Sequence, residues 1–301
     1  ARAISLANGK RAGITALPVY PHLRHHAPIL PFTDQSFLSK PDGNSWSLDL
    51  NHFEKSISKD TGVMLLCNPH NPTGKVYDKQ ELLTLADTCL EHDLLICSDD
   101  IHCDLILNGK QHIPIASLRE DIAQQSITLM APSKTFNIAG LDCAFAVIAN
   151  PKIRKQYLHF MSGLVGHVNI FGTQAAIAAY KYGEPWRKEL IAYLQKNNEI
   201  VYERINAIDG ISMRKVEATY LAWINIKNLK LDTFGRKVLS FEEFNPEINE
   251  KVEYYLDTSK DNTEKYVAND GDYWYTGRVG MKGGSSFLKF VATHGRNSYF
   301  E

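Results

Sequence analysis

Short apolar segments alternate with amphipathic segments over the first two thirds of the 301-residue chain. The apolar segments have the length and composition of buried strands, which are typical of a parallel sheet covered on both faces. They are "TGVMLLC" (61–67), "LLICS" (94–98), "ITLM" (127–130) and "CAFAVIA" (143–149). Between the first two, "DKQELLTLADTCLEHD" (78–93) has helical spacing, and Asp78 with Glu81 predicts a capping box. The alternation predicts an α/β fold with an open sheet between helices.

The pattern changes after Pro151, first to helix and then to polar sequence. A long helix is predicted from Pro185 to about Ile208, because proline suits a first helical turn, and we interpret it as a bridge to a smaller domain. "ATYLAWINI" (218–226) is the clearest predicted strand of that domain, and 227–276 is predicted to be a polar surface excursion. The expected division is therefore a large domain over 1–184 and a bridging helix with a small C-terminal domain over 185–301.

The amino-acid composition bears on which partners the protein binds and in which cellular compartment it works. The chain has 33 basic and 34 acidic residues, so it has no strong overall field for nucleic acid or an anionic membrane, and neither is expected as a partner. Its five cysteines form no CxxC pair, which favours a reducing, cytoplasmic setting. The cluster "HLRHH" (22–26) lacks acidic or cysteine partners, so a solvated loop is expected there and no metal site.

Three polar stretches follow predicted strands, at the edge where open α/β sheets place their ligands. They are "NPHNPTG" (68–74), "SDDIHCDL" (98–105) and "APSKTFNIAG" (131–140). Lys134 lies among apolar and small residues, where a charged amine is costly, so it is a candidate Schiff-base lysine. Asp99 follows an apolar run and needs a cation, which the protonated pyridine nitrogen of pyridoxal 5'-phosphate (PLP) would supply. Taken singly, these features are typical of a surface lysine, a helix N-cap and an ordinary turn, so the argument depends on their combination.

The run "CNPHNPTGKVY … SDDIHCDLIL … APSKTFNIAGLD" resembles the fold-type I, PLP-dependent aminotransferase superfamily of classes I and II. "SDDIH", "SKTFNIAG" and "TYLAWI" resemble its cystathionine β-lyase branch, the MalY/PatB-type C–S lyases. The likeness extends over about 18–224 and 279–296. It implies a large domain whose mixed, mostly parallel sheet is sandwiched by helices, a smaller and incomplete α+β domain, PLP as cofactor, and a homodimer.

The resemblance also implies roles for single residues. Lys134 is similar to the lysine that holds PLP and then moves protons at the substrate Cα. The other cofactor-binding positions are Asp99 at the pyridine nitrogen, Asn71 and His102 at the phenolic oxygen, Ser133 at the phosphate, and Tyr20 stacked on the ring. A satisfied loop histidine and a core aromatic remain open alternatives for His102 and Tyr20.

Two departures from the family pattern concern the phosphate and the substrate. The family's chains begin well before Ala1, with a small-residue turn whose amides hold the phosphate, so this sequence is expected to lie within a longer protein. In "SSFLKFVATHGRN", Lys289 stands where the arginine for the substrate carboxylate is expected, although another register gives that role to Arg296. Asn71 is the third residue expected near the substrate. A lysine keeps the charge but loses the bidentate fork of arginine.

The implied activity is a PLP-dependent C–S β-lyase that cleaves cystathionine, cysteine or a similar thio-amino acid to pyruvate, ammonia and a thiol. An aminotransferase on the same scaffold is the first alternative. The second is a non-catalytic, truncated relative with a regulatory or binding role, which Lys289 and the missing N-terminal turn favour.

Overall fold

The computed structural model describes residues 1–24 and 32–226, together with the backbone of six strands between 238 and 293. The helices are α1 (Arg2–Ala7), α2 (Pro21–Arg24), α3 (Leu50–Ser56), α4 (Lys79–Glu91), α5 (Glu120–Gln124), α6 (Pro151–Met161), α7 (Ile170–Tyr182) and α8 (Glu184–Asn206). The first nine strands are β1 (Ala12–Leu17), β2 (Thr33–Asp42), β3 (Ser45–Leu48), β4 (Thr61–Cys67), β5 (Leu95–Asp99), β6 (Ser126–Met130), β7 (Phe145–Val147), β8 (Ser212–Met213) and β9 (Ile224–Asn225). The remaining strands are β10 (Val238–Phe241), β11 (Val252–Leu256), β12 (Tyr266–Val267), β13 (Tyr273–Trp274), β14 (Thr276–Gly280) and β15 (Val291–Thr293).

A seven-stranded sheet in the order β3-β2-β1-β4-β5-β6-β7 forms the centre of the larger part of the chain. The five inner strands, β2, β1, β4, β5 and β6, run parallel. The two edge strands are antiparallel to their neighbours, β3 to β2 and β7 to β6. The predicted mixed, mostly parallel sheet is therefore confirmed.

Both faces of this sheet are buried, as the apolar runs predicted. Along β4, Met64 and Leu66 belong to one hydrophobic cluster, whereas Val63 and Leu65 belong to another. Because successive strand residues point to opposite faces, the two clusters lie on opposite sides of the sheet. Burying each such side chain stabilises the fold by about 1.5–3 kcal/mol.

Helix α4 covers the first of these faces and begins as the sequence predicted. Asp78 accepts a hydrogen bond from the Glu81 backbone N–H, and the Glu81 side chain accepts one from the Asp78 backbone N–H. Leu82 and Leu85 of the same helix are fully buried in the cluster that contains Met64. The capping box is thus confirmed, and it fixes where the helix starts after the loop from β4.

Two strand predictions were wrong in part. The segment 143–149 was predicted as a buried strand, but β7 is a three-residue antiparallel edge strand with Phe145 42 % and Val147 53 % exposed. An apolar run alone does not tell a central strand from an edge strand whose outer face is open. In 218–226, only Ile224–Asn225 forms a strand, and Ala218 instead makes an isolated bridge with Ile106.

The chain divides into two compact units. The first comprises Ala1–Lys196 with Val216–Tyr220, and the second comprises Asn197–Lys215 with Leu221–Glu301. Within the second, β8 and β9 pair antiparallel, and the side-chain amide of Asn206 at the end of α8 donates to the Met213 carbonyl oxygen at 3.1 Å. Among the helices of the described ranges, none is long and apolar enough to cross a bilayer.

Candidate active site

The three polar stretches that the sequence singled out leave the sheet side by side. Strands β4, β5 and β6 are neighbours and parallel, with Cys67 paired to Asp99 and Asp99 paired to Leu129. The Asn68 backbone N–H donates to the Asp99 carbonyl oxygen at 3.0 Å, and the Asp100 N–H donates to the Leu129 carbonyl oxygen at 2.9 Å. The carboxyl ends of the strands therefore present all three stretches at one edge.

Lys134 lies in a run of turns, 132–137, that follows β6. The turn is closed by the Phe136 N–H, which donates to the Pro132 carbonyl oxygen at 2.9 Å, and by the Ile138 N–H, which donates to the Ser133 carbonyl oxygen at 3.2 Å. Thr135 is buried, whereas Lys134 and Ser133 are half-buried. Within the described ranges, no carboxylate forms an ion pair with Lys134, so its amine is available for a ligand.

Asp99 ends β5 and is half-buried beside this turn. Burial, with a smaller contribution from the charge of Asp100, raises the pKa of its carboxyl to about 6, although the Ile101 N–H and the charge of Lys134 act in the opposite direction. The Ile101 N–H donates to Asp99 Oδ1 at 3.2 Å. A cationic group beside Asp99 would restore the ionised form, because an opposite charge stabilises a buried carboxylate.

His102 lies one turn beyond Asp99 and is only 2 % exposed. Burial, together with the nearby charge of Lys134, lowers the pKa of its imidazole to about 4. No group in the part of the chain that the structure describes hydrogen-bonds to its Nδ1 atom. A neutral imidazole with a buried ring nitrogen that lacks a partner is well suited to bind a polar ligand atom.

We expect the His102→Gln variant to lose less stability in acid than the wild type. The folded protein keeps His102 neutral while the unfolded chain takes up a proton, so stability falls as the pH drops from about 6.5 to about 4. The difference between the pKa of His102 in the unfolded and the folded state corresponds to about 3 kcal/mol of the free energy of unfolding. Urea denaturation from pH 7 to pH 4.5 measures it. His70, with a pKa of about 4 for the same reason, stays in both proteins as an internal reference, and equal pH slopes would contradict the expectation.

The loop after β4 brings Asn71 and Tyr20 together. The Tyr20 backbone N–H donates to the Asn71 carbonyl oxygen at 3.0 Å, and the Tyr20 ring is 39 % exposed and stacked on His22 at 4.7 Å between ring centroids. The loop closes where the Gly74 N–H donates to the His70 carbonyl oxygen at 2.7 Å. Gly74 has a φ of +67°, and a Cβ atom there would lie 2.5 Å from the Val216 side chain, so both the backbone and the space favour glycine.

Residues 216–220 return to this edge from late in the sequence, which the sequence reasoning did not foresee. The Glu217 and Ala218 N–H groups donate to the Gly74 carbonyl oxygen, and the Thr219 N–H donates to the Leu105 carbonyl oxygen. Thr219 is fully buried with a φ of +71°, a conformation that a β-branched residue rarely adopts. The Tyr220 ring then meets the His102 ring edge-on at 5.7 Å. "TYLAWI" was noticed as a family feature, but Tyr220 was not named as a site residue.

The described structure thus brings Lys134 within electrostatic reach of both Asp99 and His102, with Ser133 adjacent to Lys134 in sequence. Asn71 lies on the neighbouring loop after β4, and its carbonyl oxygen accepts a hydrogen bond from the backbone N–H of Tyr20, which follows β1. Lys289 and Arg296, the residues expected at the substrate carboxylate, lie outside the described residues. In the ranges that are described, no cluster of three or more His, Cys, Asp or Glu side chains could hold a metal ion.

Comparison with known proteins decides the family. The family model for aminotransferase class I and II matches residues 3–257. The chain belongs to this family. Cystathionine beta-lyase PatB of Bacillus subtilis (strain 168) is 40 % identical over 192 residues, which are 62 % of this chain and 49 % of PatB. Protein MalY of Escherichia coli (strain K12) is 35 % identical over 194 residues, 63 % of this chain and 49 % of MalY.

The solved structures agree with the family. The crystal structure of cystalysin from Treponema denticola, which contains a pyridoxal 5'-phosphate cofactor, matches with a TM-score of 0.70 and 32 % identity over 74 % of this chain and 57 % of cystalysin. The described sheet and helices are accordingly those of the class I and II aminotransferase family, fold type I. The chain spans about half the length of the curated relatives that it matches.

Proposed function

We propose that this protein is a PLP-dependent C–S β-lyase that acts on cystathionine, cysteine or a similar thio-amino acid and yields pyruvate, ammonia and a thiol. The observation that carries the proposal is the grouping of Lys134, Asp99 and His102 at the carboxyl edge of the sheet, where each lacks an ion-pair partner among the described residues. The similarity to cystathionine beta-lyase PatB supports the lyase branch, and the similarity to cystalysin, which contains PLP, supports the cofactor.

The residues present fit PLP. Lys134 offers a half-buried amine for an aldehyde, and Asp99 offers a carboxylate that burial leaves in need of a cation such as a pyridinium nitrogen. The unpartnered Nδ1 atom of His102 and the side chain of Asn71 are the groups for the phenolic oxygen, Ser133 is the hydroxyl for the phosphate, and Tyr20 is the ring for stacking.

Each residue then has a defined task in the elimination. When bound, PLP supplies the electron sink that makes a proton on the substrate Cα acidic. Lys134 would take that proton as general base, because it supplies the amine in the turn after β6. Asp99 would stay ionised and pair with the protonated pyridine nitrogen of PLP. His102 stays neutral because burial opposes its protonation. Lys289, or Arg296 in the other register, is proposed to bind the substrate carboxylate together with Asn71.

The proposal is tested by titrating the purified chain with PLP and assaying it with cystathionine. We expect an absorption band near about 420 nm and release of pyruvate without any added keto acid, because elimination needs no amino acceptor. Conversion of an added keto acid to its amino acid, without release of pyruvate, would assign the alternative, an aminotransferase on the same scaffold, which the family name supports. A chain without the band would support the non-catalytic relative with a regulatory or binding role.

We further propose that the partner is a second copy of this chain. A surface around the start of α7 is unusually apolar, with Leu164 84 %, Ile170 65 % and Phe171 73 % exposed. Contiguous exposed apolar side chains mark protein contacts, and the resemblance implies a homodimer.

The proposed domains remain 1–184 and 185–301.

We expect the wild type to sediment as a dimer and Phe171→Glu as the 33.9 kDa monomer, because a carboxylate in an apolar contact is left without a counter-charge. Sedimentation velocity at several protein concentrations measures this. Lys155→Glu is the control, since it introduces the same residue at an exposed position of α6. A monomeric wild type, or a Phe171→Glu variant that remains a dimer, would exclude this surface as the contact.

A cytoplasmic location is proposed from the cysteines. All five, Cys67, Cys89, Cys97, Cys103 and Cys143, are free thiols in the structure. Burial raises the pKa of Cys97 to about 11 and that of Cys103 to about 12, so both stay protonated and unreactive at neutral pH. Free thiols are typical of a reducing compartment.

A further inference from the structure

One short segment contacts three of the parts of the chain that border the candidate site. Residues 110–113, "KQHI", lie in the loop between β5 and α5, and we call them the brace segment. Lys110 Nζ pairs with Glu217 Oε1 at 2.7 Å, and His112 Nε2 lies 2.8 Å from Asp100 Oδ2. The Ile113 carbonyl oxygen accepts a hydrogen bond from the Asn68 side-chain amide at 3.0 Å. The partners belong, in turn, to the returning segment 216–220, the end of β5 and the end of β4.

The contact with His112 holds Asp100, the residue that follows Asp99 in the chain. Asp100 is 0 % exposed, and its other carboxylate oxygen accepts a hydrogen bond from the Ser98 hydroxyl. Successive residues at the end of a strand point to opposite faces of the sheet, so Asp99 faces the candidate site while Asp100 faces the α4 side. His112 holds Asp100 by a hydrogen bond in a buried place where an unpaired carboxylate is costly. A rotation of Asp100 would turn the adjacent Asp99 peptide with it.

The contact with Asn68 links the brace segment to the loop that carries Asn71. Asn68 is 1 % exposed, and its backbone N–H donates to the Asp99 carbonyl oxygen, so its side chain and backbone join β4 to the brace segment and to β5. The Lys110 contact acts on the same loop from the other side. Glu217 also accepts a hydrogen bond from the Val76 backbone N–H at 2.8 Å through its second oxygen, Oε2.

We propose that the brace segment holds the ends of β4 and β5 and the returning segment in one arrangement, with His112 as a positioning residue that acts on Asp99 through Asp100. Among the hydrogen bonds and ion pairs of the described residues, none joins the brace segment to a residue assigned to the cofactor. In its consequence for PLP, this inference rests on the proposed function.

The test compares His112→Leu, which removes the donor, with His112→Gln, whose amide nitrogen restores it. Backbone hydrogen exchange is measured on the 301-residue chain without PLP. In His112→Leu, we expect the amides of Asn68, Asp100 and Cys103 to exchange about tenfold faster, while the α4 amides Leu82 and His92 keep the wild-type rate. His112→Gln is expected to keep the wild-type pattern. Leu85→Ala, a buried α4 substitution away from the brace segment, is the control for a general loss of stability.

Three results would overturn the inference. One is equal acceleration of site and α4 amides in His112→Leu, as expected for Leu85→Ala, and another is the same acceleration in His112→Gln. If His112→Leu does not fold, Lys110→Met decides, since Lys110 is 45 % exposed and only its pair with Glu217 is lost. In Lys110→Met, faster exchange confined to the amides of Val76 and Glu217 would support the proposed role of the brace segment. Unchanged exchange at these two amides is the third contrary result.

The effect on PLP is measured separately. The dissociation constant of PLP should be about tenfold higher for His112→Leu than for the wild type. For His112→Gln it should equal the wild-type value. A wild-type chain that binds no PLP would refute the proposed function but leave the exchange measurements to decide on the brace segment. An unchanged PLP affinity in His112→Leu, with the exchange pattern as expected, would overturn the link between His112 and Asp99.

Discussion

The Lys134→Ala variant is expected to lose both the absorption band near about 420 nm and the release of pyruvate. The band requires a primary amine at this position, and no other lysine is assigned to the turn after β6. The same amine is proposed to take the Cα proton, so kcat should fall by about 10⁴-fold or more. Absorption spectra during PLP titration and a pyruvate assay with cystathionine measure the two effects on the same preparations.

Lys152→Ala is the matched control, because Lys152 is exposed at the start of α6 and should leave both signals unchanged. Circular dichroism of Lys134→Ala should match the wild type, since Lys134 is half-buried and forms no ion pair with any described residue. A band that persists in Lys134→Ala would show that another amine reacts with PLP, and the assignment of Lys134 would then be wrong.

The Asp99→Asn variant is expected to keep its fold and lower kcat by about 10²- to 10³-fold. An amide has nearly the shape of the carboxylate but cannot hold a cationic pyridine nitrogen, which weakens the electron sink. Asp99→Glu should recover part of the rate because it restores the charge. Asp87→Asn is the control, since Asp87 pairs with Arg119 in an exposed surface ion pair that contributes little to stability.

The pH dependence of PLP affinity separates this role from a structural one. Since burial raises the pKa of Asp99 to about 6, its carboxylate becomes ionised, and able to hold a cation, as the pH rises from about 5 to about 7. PLP affinity should increase over that window in the wild type, and this part of the increase should vanish in Asp99→Asn. In the ligand-free protein the sign is reversed, because the folded state holds a proton that the unfolded chain has lost. Stability contributed by Asp99 therefore falls as the pH rises from about 4 to about 6. Identical pH profiles for PLP binding in the two proteins would refute the assignment.

Local patterns predicted much of this architecture. The runs at 61–67 and 127–130 became strands β4 and β6, and the Asp78 and Glu81 pair capped α4, because strand length and capping depend on nearby residues. Position on the sheet could not be predicted in the same way. An apolar run does not state whether a strand has one neighbour or two, which is why β7 was expected to be buried.

The site was predictable to a similar degree. Lys134, Asp99 and His102 lie at one edge because three parallel strands end there, which follows from fold class alone. The contacts of Asp100 with His112 and of Glu217 with Lys110 had no local signal, since they join residues 12 and 107 positions apart. A buried charge looks like a surface charge in the sequence until its partner is known.

The return of residues 216–220 to the loop at Gly74 has a consequence for synthesis on the ribosome. The Val76 N–H and the Glu217 carboxylate that accepts its hydrogen bond are 141 positions apart, and the Gly74 carbonyl oxygen receives its two donors from equally late residues. The central strands can therefore pair while the chain is still growing, but the loop of Asn71 gains its last contacts only after residue 220 has left the exit tunnel. Until then the loop of Asn71 at the carboxyl edge of the sheet lacks these contacts. A growing chain that stalls before residue 216 would expose this edge to chaperones and proteases.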